Sequence, residues 1–149
     1  RKKCPPEISG GQRQRVAIAR CIALQPDFVI ADEPIASLDV SIQAQIINLF
    51  KHLQTKHQFS FLFIAHDLAI VRYISDKIGV LYHGKLVEIA PTEELFENPV
   101  HPYTKSLLSA VPTPNPRKEK NKVLVPFDGT AFTGEGEMKE ISSEHFVLL

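Results

Sequence analysis

The spacing of apolar residues changes several times along this chain, and each change predicts an element. Ser9 followed three residues later by Gln12 matches a helix capping box, and Val16, Ala17, Ala19, Cys21, Ile22 and Ala23 continue it as a largely apolar helix to about Leu24. Pro26 ends that pattern. Phe28-Val29-Ile30-Ala31 is a short, continuous apolar run, the form expected of a parallel strand buried on both faces. From about Ser41 to His57, Ile42, Ile46, Leu49, Phe50 and Leu53 recur at helical spacing, with Gln43, Asn48, Lys51 and Gln54 on the opposite face. Phe59 to Ala65 reads as a second buried strand, closed by His66. Asp67 then opens a helix carrying Leu68, Val71 and Ile74 on one side.

Strand, helix, strand, helix predicts right-handed crossovers and an α/β fold with a parallel sheet between flanking helices. After it, Lys77 to Tyr82 and Lys85 to Ile89 flank His83-Gly84, a hairpin signal. Two short helices are expected at Thr92 to Glu97 and Tyr103 to Val111, each introduced by a nearby proline. Beyond Pro112, TPNPRKEKNK reads as a proline and charge linker, and the rest to Leu149 as an irregular tail with strand-like pieces VLVPF and HFVLL. No internal repeat is visible.

Composition narrows the classes. With 149 residues and 44% hydrophobic content, the chain can build a core. Lys+Arg 17 against Asp+Glu 17 leaves no net basic field, so no nucleic-acid partner is expected and any polyanion contact must be local. The longest apolar run is far short of the ~20 residues that cross a bilayer, and no signal peptide opens the chain, so a soluble protein is expected. Cys4 and Cys21 lie apart with no CxxC, which favours reduced thiols over a disulfide or a zinc site. The chain starts at Arg1 and enters a motif within ten residues, which suggests a fragment of something longer.

Chemistry concentrates at the strand ends. Asp32 and Glu33 directly follow the first apolar run, at the carboxyl edge where ligands gather in open α/β sheets. An aspartate there suits an oxygen ligand to a Mg²⁺ that bridges nucleotide phosphates, and the adjacent glutamate suits a base acting on water. A solvated acidic turn before Pro34 is the alternative. His66 ends the neighbouring strand and should emerge on the same edge, as a phosphate contact or as a structural histidine. Gly79 to Lys85 spells GxxxxGK, but Leu86 follows where a hydroxyl is needed, and the segment lies in a strand-turn-strand pattern. It is not read as a phosphate loop.

Four pieces in order over residues 8 to 67 carry a family resemblance: ISGGQRQ, FVIADEP, ASLD and FIAHD. Together they resemble the signature motif, Walker B strand, D-loop and H-loop of ATP-binding-cassette (ABC) ATPases. That resemblance implies a P-loop NTPase-like (RecA-like) fold, here incomplete, and the cofactors ATP and Mg²⁺. It makes Asp32 the Mg²⁺-side carboxylate, Glu33 the catalytic base, His66 the γ-phosphate sensor and Asp39 the residue reaching across a dimer. Ser9, Gly10, Gly11 and Gln12 match the signature, whose serine, bare glycine amides and helix start would cradle the phosphate of ATP held by a partner subunit. A side chain at Gly11 is then expected to obstruct that phosphate. Arg13 and Arg15 are read equally as solvated helix charges or functional cations.

His101 to Pro112, HPYTKSLLSAVP, resembles the C-terminal extension of ATPases that drive bacterial oligopeptide, dipeptide and nickel importers. The expected organisation is residues 1–90 as the C-terminal part of a nucleotide-binding domain, 91–112 as importer-type helices and 113–149 as linker and extension. Walker A and the Q-loop are not in the chain. No cysteine follows Cys21, so the iron–sulfur centre of some relatives is not expected. The implied protein is a transport ATPase, peripheral on the cytoplasmic side of the membrane, working with a second ATPase subunit and membrane permeases. Two alternatives are a non-catalytic interaction module and an ABC ATPase of nucleic-acid metabolism; salt-sensitive DNA binding would favour the latter.

Overall fold

The computed structural model describes residues 9–112 and 122–149. Cys4, Ile8 of the signature and most of the proline-rich linker lie outside the described residues. The chain divides into two units, Arg1–Asp67 and Leu68–Leu149.

In the first unit, α1 (Gly10–Ile22) starts at Ser9 with the predicted capping box. Ser9 Oγ accepts from the Gln12 amide at 3.4 Å, and the Ser9 amide donates to Gln12 Oε1 at 3.1 Å. The strands β1 (Phe28–Asp32) and β2 (Ser60–Ile64) pair in parallel, Phe28 opposite Ser60 and Asp32 opposite Ile64. Between them runs α2 (Val40–His57), which buries Ile46, Ile47 and Phe50 and ends at Gln58 in the left-handed conformation. The Phe50 ring lies 6.2 Å from both Phe61 and Phe63, which places α2 against one face of the pair.

The strands depart from expectation in one respect. Continuous apolar runs predict burial on both faces, yet β1 alternates, with Val29 and Ala31 buried while Phe28 and Ile30 remain 56% and 64% exposed. Leu62 and Ile64 of β2 are exposed too. By register these four share one face, and no described residue of the first unit covers it. Both α1 and the first strand's end also settle within two residues of their predicted limits, α1 stopping at Ile22 rather than Leu24.

In the second unit, α3 (Leu68–Ile74) buries Val71 and Ile74. The strands β3 (Lys77–Tyr82) and β4 (Lys85–Pro91) form the expected hairpin. Its turn residues His83 and Gly84 both take positive φ, 47° and 77°, as the mirror-image turn matching strand twist requires. The GxxxxGK look-alike is therefore hairpin, as the spacing argues. Next come α4 (Thr92–Glu97) and α5 (Pro102–Ser109), the latter capped by His101 Nδ1, which accepts from the Tyr103 amide at 3.2 Å. Of the two strand-like pieces in the tail, VLVPF stays unpaired, whereas HFVLL supplies β6 (His145–Leu148), paired with β5 (Met138–Ser142) and with β4. The sheet order is β3-β4-β6-β5.

A buried polar knot holds this sheet to the helices. Glu88 of β4 is fully buried and accepts from the Val100 and His101 amides at 2.8 and 3.0 Å. The ring of His145, also fully buried, lies 2.8 Å from Glu88 through Nε2 and 3.5 Å from Glu94 through Nδ1. Partners on every side are what make a carboxylate tolerable there. Among the described residues no helix is long and apolar enough to cross a membrane.

Candidate functional site

Parallel pairing brings the carboxyl ends of β1 and β2 level, and this sets the first group. Asp32 is the last residue of β1, opposite Ile64, and Glu33 follows it while His66 stands two residues beyond Ile64. The Glu33 amide donates to the Ile64 carbonyl at 2.9 Å, extending the ladder by one bond. Glu33 takes φ 41°, a left-handed backbone that is costly for a residue with a β-carbon. His66 Nδ1 lies 3.3 Å from Glu33 Oε1, and the two side chains are 74% and 55% exposed. An ion pair this open adds little stability. It does leave a carboxylate and an imidazole side by side and accessible at a sheet edge.

The second group gathers where α1 and α2 begin. Ser9 caps α1, and the amides of Gly10 and Gly11 stand in the first turn, where a helix supplies no acceptor of its own. Asp39 is the cap residue of α2 but makes no side-chain cap bond, so its exposed carboxylate is not engaged in holding the helix. The approach to Asp39 is pinned by Gln43 Nε2, which donates to the Ile35 carbonyl at 3.2 Å.

The structure alters the reading of the glycines. A β-carbon on Gly10 would lie 3.2 Å from Leu38 Cδ2, and one on Gly11 only 2.6 Å from Ile42 Cγ2. A side chain at Gly11 would therefore meet a neighbour inside the chain. Arg15 is likewise placed, its Nη2 donating to Gln45 Oε1 at 2.5 Å. Sequence reasoning missed the partners Leu38, Ile42 and Gln45, since contacts some thirty residues apart leave no local periodicity. Only the β-branched Ile42 so near the start of α2 hinted that something packs there.

Among the described residues no cluster of three or more His, Cys, Asp or Glu side chains could cage a metal ion. Asp32 and Glu33 instead offer hard oxygen donors singly, which suits a cation that takes most of its ligands from water and phosphate.

The ABC transporter family model matches residues 1–36, and the model described as oligopeptide/dipeptide transporter, C-terminal region, matches residues 87–130. The chain is 58% identical over 148 residues to the oligopeptide transport ATP-binding protein OppF of Bacillus subtilis, covering 97% of this chain and 48% of that protein. Two separate segments of the chain thus match models of ABC transport proteins. The chain is also 53% identical to the dipeptide transport ATP-binding protein DppF of Lactococcus lactis, over 97% of this chain and 47% of that protein. AmiF of Streptococcus pneumoniae, an oligopeptide transport ATP-binding protein, is 56% identical over 96% and 47%. The chain thus spans about half the length of the curated relatives it matches.

Among solved structures, the ADP conformation of the ATP-binding cassette MJ1267 aligns with TM-score 0.55 at 30% identity, over 62% of this chain and 38% of that one. The cassette MJ0796, a dimer in a post-hydrolysis state bound to ADP and Pi, aligns with TM-score 0.53 at 33% identity, over 59% and 38%. The α/β fold is that of ABC cassettes, present here in part.

Proposed function

We propose that this chain is the C-terminal part of an ATP-hydrolysing subunit that energises an importer of oligopeptides or dipeptides. The observation that carries the reading is the Glu33 carboxylate beside the His66 imidazole, 3.3 Å apart and open at the ends of two parallel strands. Support comes also from relatives named as oligopeptide and dipeptide transport ATP-binding proteins, matched over nearly the whole chain.

In this reading each of the two groups serves a different nucleotide. Asp32, Glu33 and His66 act on ATP bound by the subunit's own phosphate loop, which belongs to the longer polypeptide. Glu33 takes a proton from the attacking water, whose oxygen bonds the γ-phosphorus while the bond to the ADP oxygen breaks. His66 hydrogen-bonds the γ-phosphate and, through its contact with Glu33, holds that carboxylate toward the water. Asp32 would hold Mg²⁺, which when bound neutralises charge on the β- and γ-phosphates. Ser9, Gly10, Gly11, Gln12 and Asp39 face the ATP of a second ATPase subunit: two open amides at a helix start and a hydroxyl still free to donate meet its γ-phosphate. The subunit sits peripherally on the cytoplasmic side of the membrane, against the permeases.

ATP-dependent closure of the full-length subunit with its partner tests this. With Glu33→Gln blocking hydrolysis, ATP should trap a closed dimer on size exclusion, and Ser9→Arg in the same chain should abolish it. A dimer indifferent to ATP, or to Ser9→Arg, would refute the reading.

A further inference from the structure

A seam joins the first turn of α1 to the first turns of α2. Gly10 faces Leu38, just ahead of α2, while Gly11 faces Ile42 and Arg15 bonds Gln45 within it, so the contact continues along both elements. The tightest point is Gly11. A β-carbon there would come within 2.6 Å of Ile42 Cγ2, closer than real contacts allow. Ile42 yields by rotating only at a cost, because a β-branched residue in a helix strongly prefers one χ1. The amide-bearing turn of α1 therefore rests on one methyl group that stands three residues beyond Asp39.

We infer that Ile42 is a positioning residue: its Cγ2 methyl against Gly11 fixes the Ser9–Gln12 turn relative to Asp39, so that both elements meet a partner's nucleotide as one rigid piece. The glycine is then bare for contact within the chain, and its amide remains available to the phosphate. The positioning role rests on the ATPase reading; the packing itself does not.

Two opposing effects make the test decisive. Alanine is a better helix former than glycine, so Gly11→Ala should stabilise α1 if space exists and destabilise it if the methyl blocks it. The experiment uses the full-length subunit with its partner ATPase, comparing Gly11→Ala alone and combined with Ile42→Leu or Ile42→Val. Leucine removes the branch at the β-carbon; valine keeps it.

Gly11→Ala is expected to lower the melting temperature and to cut ATPase turnover about tenfold or more, as sub-ångström misplacement of an active-site group does. Ile42→Leu should restore both, and Ile42→Val should restore neither. A Gly11→Ala subunit that melts at or above the wild-type temperature would overturn the inference, as would equal failure of the two double variants. Recovery of melting without recovery of turnover would leave the packing and overturn the positioning. Absence of ATP turnover in the wild-type subunit, with the melting pattern intact, would defeat the reading on which the positioning rests.

Discussion

His101 caps α5 only in its neutral form. Its Nδ1 accepts the Tyr103 amide at the start of α5, and burial pushes its pKa below the ordinary value, against an opposing pull from the Glu88 carboxylate. A histidine whose folded pKa is depressed contributes fully above its unfolded pKa of about 6.5, and loses that contribution as pH falls through it, because the unfolded chain takes the proton first. Thermal stability of the second unit should therefore drop on acidification from pH 7.5 to pH 5.5. His101→Asn keeps a competent cap and removes the titration, so its melting temperature should fall less over the same range. An unchanged slope would mean that His101 does not sense pH.

The residues of the candidate site divide by how they could be read. Asp32, Glu33 and His66 were legible because each directly follows an apolar run, and parallel pairing makes such positions meet. The left-handed backbone at Glu33 was not, since nothing in ADEP demands it before the Ile64 carbonyl claims its amide. Gly10 and Gly11 invited a ligand explanation because side-chain-free positions look alike whether a phosphate or an isoleucine lies opposite.

Elements were predicted well where periodicity was local. The capping box, α2, the β3–β4 hairpin and the parallel pair all follow from spacing. What periodicity could not supply was the partner of each face. The tail strand β6 was visible only as HFVLL; its place between β4 and β5 brings His145 onto Glu88, fifty-seven residues apart. A lone acid in the apolar run VEIA was the trace of that knot. Truncating Glu88 to alanine would take the partner from His145 Nε2 and from the Val100 and His101 amides. It should cost about 3–5 kcal/mol, the usual consequence of breaking a buried pair. Chemical denaturation would measure that loss, and hydrogen exchange at the β6 amides should accelerate with it. Unchanged exchange at Val147 would show that the strand is held by backbone pairing alone.

At the scale of the whole molecule, the exposed apolar face of β1 and β2 dominates behaviour. Phe28, Ile30, Leu62 and Ile64 lie together on it, and apolar surface of this kind drives association. The 149-residue chain alone should self-associate at micromolar concentration, and Ile30→Lys should shift it toward monomer in sedimentation velocity. Equal association of both would place the contact elsewhere. The same chain should hydrolyse no ATP, because Gly79 to Lys85 is a hairpin and offers no phosphate loop.

The central claim is that Glu33 activates water for ATP hydrolysis in the complete subunit. Steady-state turnover of the full-length subunit with its partner, wild type against Glu33→Gln, tests it most directly. Nucleotide binding should persist while turnover falls by about 10²–10⁴, the range for loss of a general base. Turnover within a few-fold of wild type, at equal ATP occupancy, would contradict the account.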